Sequence, residues 1–332
     1  MKKIAVTGIK PTGMAHLGNY LGAIKPAINL AKDYETRYFI ADYHALNSIK
    51  DKDKIKEYIY DIAATWLACG LDPDKTLFYR QSLVPETFEL ATILSAFTPK
   101  GLMNRAHAYK AKVQENKKQN KDEDFGVNMG LFTYPILMAA DILLFNCDLV
   151  PVGKDQKQHI EMTVDIAQSF NHVYCKDILK IPQPLIKENT KTVTGLDGRK
   201  MSKSYNNYIP LFLSKKKLKK TIMKIVTNSQ SVEEPKDPTT SNVFALYKLF
   251  ADEKQQKVMR EKYLAGGMGW GHAKKDLFEL INSELEPLRK RYNEIISDKS
   301  YIDKLLREGS EKARNIAAST LSKVKQTIGL EF

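Results

Sequence analysis

Residues 4–19 read IAVTGIKPTGMAHLGN, and this stretch decides the fold that we expect of the chain. Its first six residues are mostly apolar and predict a short buried strand. The turn-forming residues 10–13 (KPTG) end that strand. From about residue 19 to residue 32, apolar side chains recur at helical spacing. A buried strand, a glycine-containing turn and a helix predict the first unit of a parallel α/β sheet.

The same alternation continues along the chain. Residues 37–42 and 76–80 predict two further strands, and an amphipathic helix between them is marked by Ile55, Ile59, Ile62, Trp66 and Leu67. After about residue 205 the strand signals fade, and apolar residues near 277–292 and 316–328 follow helical spacing. The sequence therefore predicts a Rossmann-like parallel sheet, a nucleotide-binding domain, over residues 1–205 and a helical domain over residues 206–332. The polar segment 112–126 predicts a loop or a frayed helix end, with a functional lid as the alternative.

Charge is unevenly distributed over the 332 residues. The formal excess is +13, of which +5 falls in residues 1–205 and +8 in the shorter remainder. Such an imbalance favours a polyanionic partner such as RNA, although a solvated basic surface explains it equally well.

Cysteine usage and apolar runs indicate the compartment. The three cysteines, Cys69, Cys147 and Cys175, form no C-x-x-C pair, so neither a disulfide framework nor a zinc site is predicted. No apolar signal core follows the first residues. The longest apolar stretch, near 135–145, is interrupted by Asp141 and is too short to cross a bilayer. We expect a cytoplasmic protein without a metal held by its side chains.

The segment His16-Leu17-Gly18-Asn19 follows the first strand and opens its helix. Ligands of open α/β sheets bind at the carboxyl ends of the strands, where a helix N-terminus favours phosphate. Gly18 would let a base or ribose approach the backbone, and His16 and Asn19 supply hydrogen-bond donors. A turn that happens to contain a histidine is the alternative interpretation.

A second segment, Lys200-Met201-Ser202-Lys203-Ser204, follows the turn Asp197-Gly198. Two lysines on a loop can place positive charge on a pyrophosphate leaving group, where charge moves during the reaction. By themselves, two lysines in five residues are as typical of a solvated surface.

A third segment, residues 133–144, is an apolar helix with one carboxylate, Asp141. A lone buried carboxylate is unfavourable unless it is paired. It could serve a structural hydrogen bond, or it could accept a hydrogen bond from an indole N–H, which is a donor without acceptor capacity.

Together these segments resemble a known enzyme class. Residues 16–19 are similar to the "HIGH" signature of class I aminoacyl-tRNA synthetases, and residues 200–204 match its "KMSKS" signature letter for letter. With the strings 133–144 and 150–159, the chain resembles bacterial tryptophanyl-tRNA synthetases from about residue 7 to residue 329. The resemblance implies formation of tryptophanyl-adenylate from L-tryptophan and Mg²⁺-ATP, followed by transfer to tRNA(Trp). It also implies a homodimer with tRNA bound across both subunits.

The resemblance assigns roles residue by residue. Those expected to act in catalysis are His16, Asn19, Lys112, Lys200 and Lys203. Those expected to contact ATP are Lys10, Pro11, Thr12, Gly18, Asn19, Gly153, Lys154, Asp155, Lys200, Met201, Ser202, Lys203 and Ser204. Those expected to contact tryptophan are Asp141, Tyr134, Met138, Val150, Val152, Gln156, His44 and Val6.

Three positions depart from the family pattern. Lys10 stands where glutamine is common, Val6 where some members place a phenylalanine beside the indole, and Lys154 where glutamate is frequent. These departures affect individual ligand contacts rather than the reaction. The ammonium group of Lys10 could approach an anionic oxygen, or it could extend into water.

Three rival functions remain open at this stage. A tyrosyl-tRNA synthetase would share the fold but would need donors and acceptors placed for a phenol. A small-molecule nucleotidylyltransferase also uses a histidine-glycine phosphate site, but it does not need a basic helical domain. A non-catalytic RNA-binding paralogue would not need both signatures intact.

Overall fold

Five parallel strands form the centre of the protein. The computed structural model describes residues 2–153, 156–186 and 193–331. The strands lie in the order β3-β2-β1-β4-β5, and every neighbouring pair is parallel. They are β1 (Ile4–Ile9), β2 (Glu35–Ile40), β3 (Thr76–Arg80), β4 (Leu149–Pro151) and β5 (Gln183–Leu185). The expected parallel α/β sheet is confirmed.

Helices join the strands and make up the C-terminal part. Those before β4 are α1 (Leu17–Asn19), α2 (Lys25–Leu30), α3 (Asp42–Ala45), α4 (Lys52–Ala68), α5 (Glu86–Ser95), α6 (Lys100–Met103), α7 (His107–Lys118) and α8 (Met129–Leu143). Those after it are α9 (Lys157–Tyr174), α10 (Lys215–Ile222), α11 (Asn242–Tyr247), α12 (Glu253–Ala265), α13 (Trp270–Ser297) and α14 (Lys299–Thr327). A π-helical turn, Tyr20–Ile24, links α1 to α2. None of the helices in the described ranges is long and apolar enough to cross a membrane.

One strand boundary expected from the sequence is wrong, and one segment expected as a loop or a frayed helix end is helical in its first half. The second strand covers Glu35–Ile40 instead of 37–42, because Asp42 begins helix α3 and accepts hydrogen bonds from Ser82. The segment 112–126 is helical through Lys118, where ion pairs from Lys112 to Glu115 and from Lys117 to Glu123 support the polar helix and the turn after it.

The sheet separates two apolar cores. On one face, Tyr38 of β2 and Phe78 of β3 pack with helices α4 and α13. On the other face, Val6 of β1 and Phe39 of β2 pack with α5, α8 and α9. This burial on both faces explains why the apolar residues of the strands do not simply alternate with polar ones.

The C-terminal helices complete both cores. Helix α14 runs beside the edge strand β3, and its last turns join the same core as α8 and α9. Gly309 lies so close to β3 that a Cβ atom there would overlap the carbonyl oxygen of Phe78. The hydroxyl of Ser310 accepts a hydrogen bond from the Arg80 amide at 3.2 Å. The helical character expected after residue 205 is confirmed, while the boundary at 205/206 stays a prediction.

Strand order creates a switch point between β1 and β4. The chain moves outward from β1 through β2 and β3 on one side, and later returns through β4 and β5 on the other. Ligands of doubly wound sheets bind in the crevice where the order reverses, beyond the carboxyl ends of the strands. The segments that follow Ile9 and Pro151 therefore border the expected binding crevice.

Candidate active site

The segment after β1 is fixed by a reciprocal pair of hydrogen bonds. His16 Nδ1 accepts from the Asn19 amide at 3.3 Å, and Asn19 Oδ1 accepts from the His16 amide at 3.1 Å. This capping box satisfies N–H groups that the first turn of α1 would otherwise leave unpaired. Both side chains expected to act on phosphate thus also set the start of the helix.

The protonation state of His16 follows from its surroundings. Burial and, secondarily, the positive charge of Lys203 lower the pKa of His16 to about 4. The imidazole is therefore neutral near pH 7. Because Nδ1 accepts the Asn19 amide, the proton resides on Nε2. His16 can offer a hydrogen-bond donor to an oxygen atom, but it carries no charge.

The two signature segments are in direct contact although 180 residues separate them. The Gly18 amide donates to the Met201 sulfur at 3.3 Å, and Met201 is buried. A Cβ atom on Gly18 would stand 3.0 Å from the His16 ring and 3.5 Å from Met201 Cβ. Lys203 Nζ donates to the Thr12 carbonyl oxygen at 3.0 Å. A side chain at position 18 would therefore crowd the His16 ring, whereas it would meet Met201 at an ordinary contact distance.

The three lysines expected to act on phosphates have different surroundings. Desolvation lowers the pKa of Lys203, whereas the carboxylate of Asp61 raises it. Lys200 is exposed on the loop before it. Lys112 forms an ion pair with Glu115 on its own helix, at 3.1 Å. No hydrogen bond or ion pair in the described part of the chain joins Lys112 to the two signature segments.

A cavity of about 170 Å³ lies at the switch point between β1 and β4. Backbone and small side chains form much of its wall, since Gly8, Gly22 and Gly153 all contribute to it. Val152 and Leu185 supply apolar surface. A flat ring or a ribose can approach the backbone at such a wall.

Lys10 follows β1. Although the residue as a whole is exposed, nearby protein atoms partly desolvate its ammonium group and lower its pKa.

Asp141 is buried on helix α8 and accepts hydrogen bonds from two neighbours. His44 Nε2 lies 2.9 Å from Asp141 Oδ2, and Gln81 Nε2 donates to Oδ1 and Oδ2 at 2.9 and 2.8 Å. Burial raises the pKa of Asp141, while hydrogen bonds from His44 and Gln81 act in the opposite direction. A carboxylate offers about four acceptor positions, so one on Oδ1 remains for a further donor.

A second chain of polar contacts lies beside this carboxylate. The hydroxyl of Tyr134 forms a short hydrogen bond with His159 Nε2, and His159 Nδ1 lies 2.9 Å from Gln156 Oε1. The Tyr134 ring stands edge-on to His44, with 6.4 Å between ring centroids. Four residues expected to contact tryptophan therefore lie in two adjoining polar clusters.

The apolar residues expected around the indole pack on the same face of the sheet. Val6 and Val150 are buried in the core that contains α8, while Met138 and Val152 are half-buried against it. Phe39 covers Gly8, where a Cβ atom would overlap its ring. An aromatic ring therefore lies on the strand beside β1, whereas Val6 itself is aliphatic.

Comparisons with known proteins agree with this arrangement. Residues 2–286 match the family model described as tRNA synthetases class I (W and Y). The tryptophan--tRNA ligase of Neisseria meningitidis is 50% identical over 332 residues, covering 99% of this chain and 98% of that protein. The chain belongs to the tryptophanyl-tRNA synthetases.

Solved structures of the family extend the comparison. The tryptophanyl-tRNA synthetase of Campylobacter jejuni, solved in complex with ADP and tryptophan, is 44% identical with a TM-score of 0.91. The match covers 98% of this chain and 100% of that one. A tyrosyl-tRNA synthetase from Archaeoglobus fulgidus, 21% identical with a TM-score of 0.60 over 88% and 90% of the two chains, shares the fold alone.

Several site residues of this family member were not identified from its sequence. Gln81 lies directly after β3 and donates to both oxygens of Asp141, and His159 bonds Tyr134. The negative charge of Asp61 raises the pKa of Lys203, and Asp61 Oδ2 is buried without a hydrogen-bond partner among the described residues. A polar residue directly after a buried strand was the available signal for Gln81. Lys154 and Asp155, which the resemblance places at the ribose, lie outside the described residues.

Within residues 2–153, 156–186 and 193–331, no group of three or more His, Cys, Asp or Glu side chains could hold a metal ion.

Proposed function

We propose that the protein activates L-tryptophan with ATP and transfers the aminoacyl group from tryptophanyl-adenylate to tRNA(Trp). The observation that carries the proposal is the meeting of both signature segments at the end of β1. There, Gly18 contacts Met201 and Lys203 reaches Thr12. This arrangement places a neutral imidazole and a lysine ammonium at the edge of the crevice where a nucleotide would bind.

Membership in the tryptophanyl-tRNA synthetases supports this choice of substrates. The C. jejuni relative holds ADP and tryptophan, and it resembles this chain over nearly its whole length. By analogy, we assign the adenosine of ATP to the cavity between β1 and β4. The carboxylate of tryptophan then attacks the α-phosphorus, and pyrophosphate leaves.

The residues of this site would act through position and charge, because no protein nucleophile is needed. His16 Nε2–H would donate to a phosphate oxygen. Lys203, Lys200 and Lys112 would stabilise negative charge that grows on the leaving pyrophosphate. Mg²⁺ would enter with ATP and neutralise part of the phosphate charge. For Lys112 this role requires the side chain to leave its ion pair with Glu115.

Recognition of the indole would fall to Asp141. One acceptor position on Oδ1 is left after the hydrogen bonds from His44 and Gln81, and an indole N–H can fill it. The two neighbours hold the carboxylate in one orientation, so its position would not depend on the ligand. A phenol, which both donates and accepts, would not match this acceptor alone.

The helical C-terminal part would bind tRNA. Helix α10 exposes five lysines while it buries Leu218 and Ile222. The exposed lysines are Lys215, Lys216, Lys217, Lys219 and Lys220. A lysine-rich face of this kind suits phosphate contacts. We further propose, from the family resemblance, a cytoplasmic homodimer with tRNA bound across both subunits and the anticodon recognised by the helical part.

Pyrophosphate–ATP exchange with each amino acid in turn tests the proposed activation step. We expect exchange with tryptophan alone. Exchange with tyrosine would favour the tyrosyl rival, and exchange without any amino acid would favour a nucleotidylyltransferase. An absence of exchange under all conditions would refute the proposed activity and favour a non-catalytic RNA-binding role. Charging of tRNA(Trp) in the same preparation tests the transfer step.

A further inference from the structure

A buried asparagine, Asn207, lies directly behind residues 200–204, the lysine-bearing loop that carries Lys200 and Lys203. It follows the short helical turn Lys203–Tyr205, and the residue between, Asn206, has a left-handed backbone with φ of 51°. Asn207 is only 3% exposed. A polar side chain with so little contact with water must satisfy its hydrogen bonds within the protein.

The amide of Asn207 bonds both sides of the lysine-bearing loop. Its Oδ1 accepts from the Ser202 amide at 2.8 Å. Its Nδ2 donates to the Lys200 carbonyl oxygen at 3.1 Å and to Asp197 Oδ1 at 2.7 Å. One side chain therefore holds the backbone at the first lysine and just before the second, and it also bonds the Asp197 side chain in the preceding turn.

The backbone of residues 193–201 packs closely on this amide. A Cβ atom on Gly195 would overlap the Asn207 side chain, so the glycine opens the space that the amide fills. The Asn207 carbonyl oxygen accepts from the Leu196 amide at 2.8 Å. Residues 193–201 form a narrow hairpin, in which the Met201 amide bonds the Val193 carbonyl oxygen at 2.8 Å. Asn207 closes the open side of that hairpin.

The two lysines differ in how much they depend on this restraint. Lys203 has an acceptor of its own, the Thr12 carbonyl oxygen. Among the described residues, no hydrogen bond or ion pair holds the ammonium group of Lys200. The position of Lys200 is thus set by its backbone, and Asn207 is the side chain that bonds that backbone.

We propose that Asn207 is a positioning residue for adenylate formation, which holds Lys200 at the distance from Lys203 where both reach the triphosphate. The inference rests on the proposed function, because it concerns the same step. Asn207 is buried behind the loop and acts through the backbone of Lys200 and of Ser202, the residue before Lys203.

The test compares Asn207→Ala with the wild-type protein in tryptophan-dependent pyrophosphate–ATP exchange. We expect kcat to fall about 10- to 100-fold, because a displaced Lys200 would stabilise the negative charge of the transition state less well. The KM for tryptophan should stay within about twofold of the wild-type value. A kcat equal to that of the wild type, or a rise in the KM for tryptophan that matches the fall in kcat/KM, would overturn the inference.

A second pair of variants separates positioning from folding. Asn207→Asp places a carboxylate against Asp197 and removes the donor to Lys200. Adding Asp197→Asn restores a hydrogen bond between positions 197 and 207, in which the new amide at 197 donates to the new carboxylate at 207. The Lys200 carbonyl oxygen still has no donor from position 207. We expect the double variant to regain thermal stability while kcat stays low. Recovery of kcat together with stability would show that Asn207 has only a structural role.

Two controls complete the experiment. Asn242 touches Gly198 at the tip of the same hairpin but bonds neither lysine, so Asn242→Ala should keep the wild-type kcat. An equal loss in this variant would refute a specific role of Asn207. The wild-type protein is measured first, since absence of tryptophan-dependent exchange there would refute the proposed function instead.

Discussion

The indole acceptor gives the sharpest test of how the site selects its substrate. Asp141→Asn keeps the shape and one acceptor oxygen but removes the charge. A charge-assisted hydrogen bond contributes about 1.5–3 kcal/mol and a neutral one about 0.5–1.5 kcal/mol. The difference of about 1–1.5 kcal/mol predicts a fall in kcat/KM for tryptophan of roughly 5- to 13-fold. Asp141→Ala removes the bond altogether and predicts a loss of about 10- to 150-fold.

The structure also predicts a side effect of the larger substitution. Alanine would leave the buried Gln81 amide and His44 imidazole without their acceptor, at about 1–3 kcal/mol for each group. Thermal unfolding of Asp141→Ala should therefore shift downward, and Asp141→Asn should also lose stability, because its amide NH2 group would face the donors of Gln81 and His44. Kinetic values are compared only at temperatures where each variant is folded.

A substrate analogue separates recognition from stability. In the benzothiophene analogue of tryptophan, sulfur replaces the indole N–H, so the analogue cannot donate to Asp141. The wild-type protein should discriminate strongly between tryptophan and this analogue, and Asp141→Ala should not. Asp42 is a matched control, because it is also a buried carboxylate but bonds Arg80 and Ser82. If Asp141→Ala keeps the wild-type discrimination, or if Asp42→Asn loses it equally, Asp141 is not the indole acceptor.

Three further predictions address charge and packing. Burial lowers the pKa of His16 to about 4, so the folded state disfavours its protonation. The contribution of His16 to stability is therefore present above the unfolded pKa near 6.5 and is lost as pH falls towards 4. His16→Gln should flatten this part of the stability–pH curve, and an unchanged curve would contradict the assignment. Neutralising the five exposed lysines of α10 should reduce the slope of log K for tRNA binding against log salt concentration by up to about 0.7–0.9 per lost phosphate contact. Tryptophan-dependent exchange should not change. An unchanged slope would show that α10 does not contact tRNA. Gly309→Ala should destabilise the fold by about 1–3 kcal/mol, because its Cβ would overlap the Phe78 carbonyl oxygen. The control is Gly271→Ala in α13, which has nothing within 4 Å of its Cβ and should melt at or above the wild-type temperature. Equal melting temperatures for the two variants would refute the close packing of α14 on β3.

The sequence predicted those parts of the fold that local periodicity specifies. Strands β1 and β3 and helices α4, α8, α13 and α14 have apolar residues at regular spacing over their length. Strands β4 and β5 were not predicted, because each has three residues and includes a proline, which leaves no period to detect. Helix α7 was only partly predicted, since it is polar all round and depends on ion pairs and packing.

The candidate site was predictable where a signature string is contiguous. Gly18, Met201 and Lys203 were identified from two short motifs, and the structure brings Gly18 against Met201 and Lys203 against Thr12. Gln81, Asp61 and Asn207 were missed for a different reason. Each belongs to the site only through a partner distant in sequence or through a turn, and a single sequence does not reveal such contacts. Their roles depend on topology, which brings β3, α4 and the lysine-bearing loop to one end of the sheet.

The packing of α14 along β3 has a consequence for how the chain is made. The edge of the nascent sheet exposes a row of unpaired backbone groups, and such edges recruit other strands. The residues that cover it, Gly309 and Ser310, lie about 230 positions later in the chain than their partners Phe78 and Arg80. During synthesis, this edge of the sheet therefore stays uncovered until helix α14 (Lys299–Thr327) has been made. A ribosome that stalls before this point would release a chain whose sheet is prone to aggregation, so the C-terminal helix acts as the closing element of an N-terminal fold.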